Sequence, residues 1–147
     1  MALGASVAKG VIAGIGGTGV MTAFQELIEM PLTGRGQSFA PADFAARLLP
    51  IQPKDDHERR QLNWVTHFGL GAMWGAAFGI AGHAGLRGQR AVATVFAGVY
   101  TGDVLLNTAL GLYEPTKWSG RELVIDVVDK LVQAEATGLI FDRMRDA

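Results

Sequence analysis

The chain contains no cysteine, which excludes disulfides, iron–sulfur clusters and thiolate zinc sites. Charge is also scarce. Lys and Arg number 13 and Asp and Glu 14, only 18% of residues together, for a net charge of −1. No basic field of the kind that holds nucleic acid is present. The start, "MALGASVAKG", lacks a basic region ahead of a long Leu-rich core, so no cleavable signal peptide is expected.

What the chain has in excess is glycine, 20 of 147 residues, about double the usual share. Glycine weakens helices in water, but inside a bilayer it lets helices approach closely. A chain of 147 residues suits one domain, 1–147. Between Arg60 and Arg87 runs "QLNWVTHFGLGAMWGAAFGIAGHAGL", 26 residues without a formal charge if His is neutral. As a helix it is about 39 Å long, against a hydrocarbon core of roughly 30 Å, and it reads as the strongest membrane span. A second run, "AVATVFAGVYTGDVLLNTALGLY", is broken only by Asp103, and a third extends from Gly10 through Glu26 and Glu29 to Met30. The last, "ELVIDVVDKLVQAEATGLIFDRM", is apolar on one side only.

These runs predict an all-α, membrane-spanning four-helix bundle with helices at about 5–30, 61–84, 89–112 and 120–143. Pro31 is expected to end the first helix. Within the long first loop, "PADFAARLL" suits a short helix at the membrane interface or packed on the bundle. "AGIGGTGVMTAFQELIEMPLTGR" also resembles "AGVYTGDVLLNTALGLYEPTKWSGR", suggesting two duplicated helical hairpins arranged as a parallel repeat.

In "AGIGGTGVM", Gly14, Gly16 and Gly19 spell G-x-G-x-x-G, the spacing of dinucleotide-binding loops. No strand or turn signal precedes it, and Gly10, Gly14 and Thr18 recur every four residues on one helix face. The spacing therefore predicts a packing surface and no nucleotide. Gly71, Gly75 and Gly79 form a second small-residue ridge, and Gly138 lies in the last helix. Such ridges receive another helix, within the bundle, across a homo-oligomer or in a membrane complex.

Several polar residues lie where a bilayer would make them costly. Glu26, Glu29, His67, Asn107, Asp126, Asp129 and Lys130 gather in one half of the membrane under the four-helix reading, with Asp103 deeper. Glu135 is a further charge within a span. Asp126 and Lys130, four apart, can pair along one helix, but the acids exceed what one Lys neutralises. Glu26-x-x-Glu29, His67 and Asp126-x-x-Asp129 could offer metal ligands, yet the paired Glu-x-x-His of di-iron bundles is absent. Metal binding stays open, and no cofactor is expected. The serines have no His–Asp context, so no catalytic residue is assigned, and His57 in "KDDHERR" reads as a solvated loop residue.

At "IEMPLTGR" and "NWVTHFGLG" the sequence resembles the YagU-like bacterial inner-membrane proteins. The shared pattern is an acid–x–Pro–Leu element, here Glu29, Pro31 and Leu32, and a Thr-His pair, here Thr66 and His67. A second His of that family falls where this chain has Lys130. The resemblance implies a small multi-pass protein of the inner membrane, without an established biochemical activity and associated with acid tolerance. Together these readings predict proton or small-cation transport or sensing, with His67 titrating nearest neutrality, Asp126 and Asp129 supplying charge and Lys130 balancing it. The rival readings are an accessory subunit of a membrane complex and a water-soluble helical bundle.

Overall fold

A computed structural model describes residues 2–146, in which five helices occur and no strand. Helix α1, Leu3–Thr33, carries one π-helical turn at Gln25–Glu29. Helix α2 is Ala40–Leu48 and α3 is Asp56–His83. Helix α4 spans 88–109 and has its own π turn at Phe96–Tyr100; α5 is Gly120–Arg145.

Pro31 does not end α1, contrary to expectation. In the wide turn just before it, the Met30 N–H bonds the Gln25 carbonyl, which relieves the clash of the proline ring with the preceding turn. The helix stops instead at Gly34, whose φ of 75° is a left-handed cap that suits glycine. Helix α3 begins earlier than its apolar run. Asp55 accepts a hydrogen bond from the Glu58 N–H at 2.8 Å, and the Glu58 carboxylate accepts one from the Lys54 N–H at 2.7 Å. This reciprocal cap places His57 in the first helical turn, exposed, and not in a loop. Ser119 caps α5 in the same manner, accepting from the Glu122 N–H at 3.1 Å.

Helix α1 is central and packs most extensively on α3 and then on α5. Its contact with α3 is nearly backbone to backbone. A Cβ on Gly10 or Gly14 would collide with the Gly75 or Gly71 carbonyl, one on Gly75 with the Gly10 carbonyl, and one on Gly79 with the Ser6 carbonyl at 2.6 Å. Thr18 continues this face against Gly71. The other face of α1 meets α5, where Gly17 lies against Thr137. Gly138 receives Val92 and Phe78, which with Trp74 and Phe141 fill the core. The G-x-G-x-x-G glycines thus do three different things: Gly14 faces α3, Gly16 faces Ile140 of α5, and Gly19 has open space. A phosphate loop needs all of them. Here Gly19→Val should leave elution and thermal stability unchanged, while Gly14→Val disrupts folding; size-exclusion of the two variants checks this.

The corresponding glycines of the second hairpin, Gly98 and Gly102, have nothing within 4 Å of an added Cβ. The second half of α4, Thr101–Ala109, stands away from its neighbours and leaves room between α1, α3 and α5.

Only α1 is long and apolar enough among the described helices to cross a membrane. The uncharged run of α3, expected to be the strongest span, falls short. Glycine removes charge without adding apolar surface, and His67 and His83 are polar whether or not they are charged. Polar residues share the interior with the apolar core, and large apolar residues lie outside. Thr18 and Thr137 are fully buried, with Ser6, Asp129 and Gln133 nearly so, whereas Leu27, Val65 and Leu105 are 76%, 72% and 65% exposed.

Candidate functional site

The splayed end of α4 leaves a polar cavity of about 120 Å³ at the end of the bundle under α2. Seven of the polar residues expected to cluster line it: Glu26 from α1, His67 from α3, Asp103 and Asn107 from α4, and Asp126, Asp129 and Lys130 from α5. Glu29 lies beside it, joined through Arg35. Glu135 does not belong; it accepts a hydrogen bond from Gln89 at 2.8 Å on an exposed surface.

Each π turn delivers a side chain to a carboxylate of α5. Gln25 donates to Asp129 Oδ2 at 3.1 Å, and the Tyr100 hydroxyl donates to Asp126 Oδ2 at 2.6 Å. The extra residue in such a turn rotates the next stretch of helix out of the ordinary register, and π turns recur at functional sites for that reason. Asp103 is held by its own helix, accepting from Asn107 Nδ2 at 3.0 Å, while its Oδ2 is buried without a partner. Among the described residues Lys130 makes no ion pair within 4 Å, so the Asp126–Lys130 pair that the four-residue spacing allows is not formed.

His67 meets a hydroxyl and no carboxylate. Thr22 donates its proton to the Thr18 carbonyl at 2.7 Å, so its oxygen accepts from His67 Nε2 at 2.9 Å. Nε2 therefore carries a proton. Trp64 and Phe68 pack against the ring, with centroids at 5.8 and 5.4 Å.

A roof closes the outer end. Arg35 Nη2 lies 2.5 Å from Glu29 Oε1 and 3.6 Å from Asp129 Oδ2. Buried Asn63 clamps the chain ahead of α2, donating to the Ser38 carbonyl at 3.0 Å and accepting from the Ala42 N–H at 3.1 Å. Arg121 donates to the Thr33 carbonyl at 2.5 Å. Polar groups continue inward along α5: Gln133 donates to Thr18 Oγ1 at 2.9 Å, and one turn further Thr137 packs on Gly17. There the track stops at buried Phe78 and Phe141. The far end is tied by Arg87, whose guanidinium lies 2.5 and 2.6 Å from the Asp146 carboxylate oxygens; that contact pushes Arg87 further above its ordinary value.

Arg35, Gln25 and Tyr100 were not among the residues expected from the sequence. Gln25 lies one turn before Glu29, on the same side of a helix, and could have been found from that spacing. Arg35 comes from a loop and Tyr100 depends on a π turn, and neither has a periodicity to betray it. No group of three or more His, Asp or Glu side chains close enough to hold a metal ion occurs among the described residues.

The architecture defines a helical bundle with one central apolar helix and an acid-rich cavity between its helices. No family model, curated protein or solved structure matches the chain.

Proposed function

We propose that this chain is an integral membrane bundle in which α1, α3, α4 and α5 cross the bilayer, α2 lies at the interface, and the acid-rich cavity takes up protons or another small cation. The observation that carries the membrane reading is the apolar outward face of the bundle. Only 33% of the apolar window of α1 is buried, although α1 is the central helix. The core helix of a water-soluble bundle is mostly buried, and its exposed face is polar. Here the outward faces carry Ile12, Ile15, Val65, Leu105 and Val124, and the interior carries Thr18, Asp129, Gln133 and Thr137 beside its apolar core. Lipid accepts the first set; in the second, Thr18 and Gln133 bond across helices, while Asp129 Oδ1 and Thr137 Oγ1 are left without a partner.

The cation reading rests on the cavity's charge. Lys130 and Arg35 stand against Glu26, Glu29, Asp103, Asp126 and Asp129. Unbalanced negative charge in such surroundings is costly, and cation uptake relieves it. The YagU-like resemblance, with its link to acid tolerance, points the same way, and the multi-pass inner-membrane location comes from it.

The test is reconstitution of the purified full chain in liposomes carrying a trapped pH dye. Dissipation of an imposed proton gradient, or of a K⁺ or Na⁺ gradient under voltage clamp by ionophore, is expected above the rate of empty liposomes. No dissipation of any of these would leave the accessory-subunit reading. Recovery of the chain in the aqueous fraction without detergent would remove both.

A further inference from the structure

Within that membrane reading, we propose that Asp129 Oδ1 is the proton-accepting atom of the cavity, held in a carboxylate–guanidinium–carboxylate triad with Arg35 and Glu29 that carries one exchangeable proton. The side chains of Glu29 and Asp129 are 6% and 4% exposed, so both acids are withdrawn from water. One guanidinium serves both, and it serves them unequally, at 2.5 Å from Glu29 and 3.6 Å from Asp129. The Thr33 hydroxyl donates to the Glu29 backbone carbonyl at 2.8 Å and lies 3.2 Å from Glu29 Oε2, so Glu29 has a full charge partner on Oε1 and shares one hydroxyl on Oε2. Asp129 has the Gln25 amide on Oδ2 alone, and its Oδ1 is buried without any hydrogen-bond partner. Two buried carboxylates with one cation leave one negative charge over, and it resides on the less satisfied acid.

A proton suits that atom better than a metal cation does. An alkali ion needs several oxygen ligands, whereas beside Asp129 only Glu29 offers a carboxylate, already held by Arg35, and the Gln25 amide N–H and the cationic Arg35 repel a metal. A proton needs one oxygen lone pair. Uptake forms an Oδ1–H bond with a proton delivered by water, takes the carboxylate from −1 to neutral, and leaves Arg35 to Glu29 alone.

Other titratable groups share the cavity, Tyr113 among them. From α1 come Glu26 and Glu29, from the loop Arg35, from α3 His67, from α4 Asp103, and from α5 itself Asp126 and Lys130. Glu29 is paired with Arg35, Asp126 is held by Tyr100, and His67 Nε2 already holds a proton on Thr22. Asp103 accepts from Asn107 on Oδ1 and also keeps a bare Oδ2, but it is only half-buried, and Glu26 is exposed, so Asp129 is the bare acid most withdrawn from water. The sequence favoured His67 as the titrating group; the geometry assigns the part to Asp129.

Infrared difference spectroscopy of the full chain in lipid nanodiscs, stepped from pH 8 to pH 5, tests this. A protonated-carboxyl band is expected in the wild type. Asp129→Asn should remove most of it, while His67→Gln and Asp126→Asn retain it. Arg35→Gln, a change in an exposed loop residue made in protein whose circular dichroism matches wild type, should leave the band already present at pH 8. Persistence of the full band in Asp129→Asn, or an Arg35→Gln spectrum identical to wild type, would overturn the proposal. Its outcome is separable from the liposome result. A band without gradient dissipation keeps the triad and removes transport; dissipation with an unchanged Asp129→Asn band does the reverse.

Discussion

Gly75→Leu should abolish recovery of a monodisperse folded protein, while Gly36→Leu elutes and melts like the wild type. The two glycines differ in what surrounds them. A Cβ on Gly75 would meet the Gly10 carbonyl and the Gly14 backbone N, at 2.7 Å for the latter, whereas Gly36 has nothing within 4 Å. Overpacking a core of movable side chains costs about 1–3 kcal/mol, and here the obstacle is backbone that cannot rotate away, so about 3 kcal/mol or more is expected. The loss should spread beyond the contact. The α1–α3 approach also positions Thr22 beside His67 and so forms one wall of the cavity. Gly75→Ala should show the same defect in weaker form. Equal yields and size-exclusion profiles for Gly75→Leu and Gly36→Leu would refute the packing role.

Lys130→Met should destabilise the protein at neutral pH by about 1–2 kcal/mol, well below the ~3–5 kcal/mol of breaking a buried pair, because Lys130 is only partly buried and acts on the acids across the cavity without a direct ion pair. Lys130 shares the cavity with Asp103, Asp126 and Asp129, and its removal leaves Arg35 as the one cation lining it among the described residues. The sign with pH is set by the acids. Charged carboxylates demand a counter-charge; as pH falls and Asp129 takes up its proton, that demand lessens. The deficit of Lys130→Met relative to wild type should therefore shrink between pH 8 and pH 5, and a second change, Asp126→Asn, should recover part of it at pH 8. Thermal unfolding in detergent at both pH values measures this. A deficit independent of pH would mean that Lys130 matters for packing by its aliphatic stem and not for charge.

The sequence determined what each stretch can be used for. Four-residue spacing of Gly10, Gly14 and Thr18, and of Gly71, Gly75 and Gly79, put small residues on single helix faces, because a helix turns once in 3.6 residues. Acids and Lys130 at one end of neighbouring helices had to share one end of any antiparallel bundle. Those inferences need only periodicity and chain reversal. Tertiary structure decided the rest. Whether Pro31 ends a helix depended on a π turn that no local propensity specifies. Which acids keep a bare oxygen, and which of them is most withdrawn from water, depended on where Gln25, Tyr100, Asn107 and Arg35 arrive, and these come from α1, α4 and a loop. A hydrogen bond is won or lost over a few tenths of an ångström, and spacing along a chain does not fix distances across a bundle to that accuracy. For the same reason His67, polar and near neutrality by its chemistry, was legible as a site residue, while its partner, a threonine hydroxyl and not a carboxylate, was set only by the register of α1 against α3.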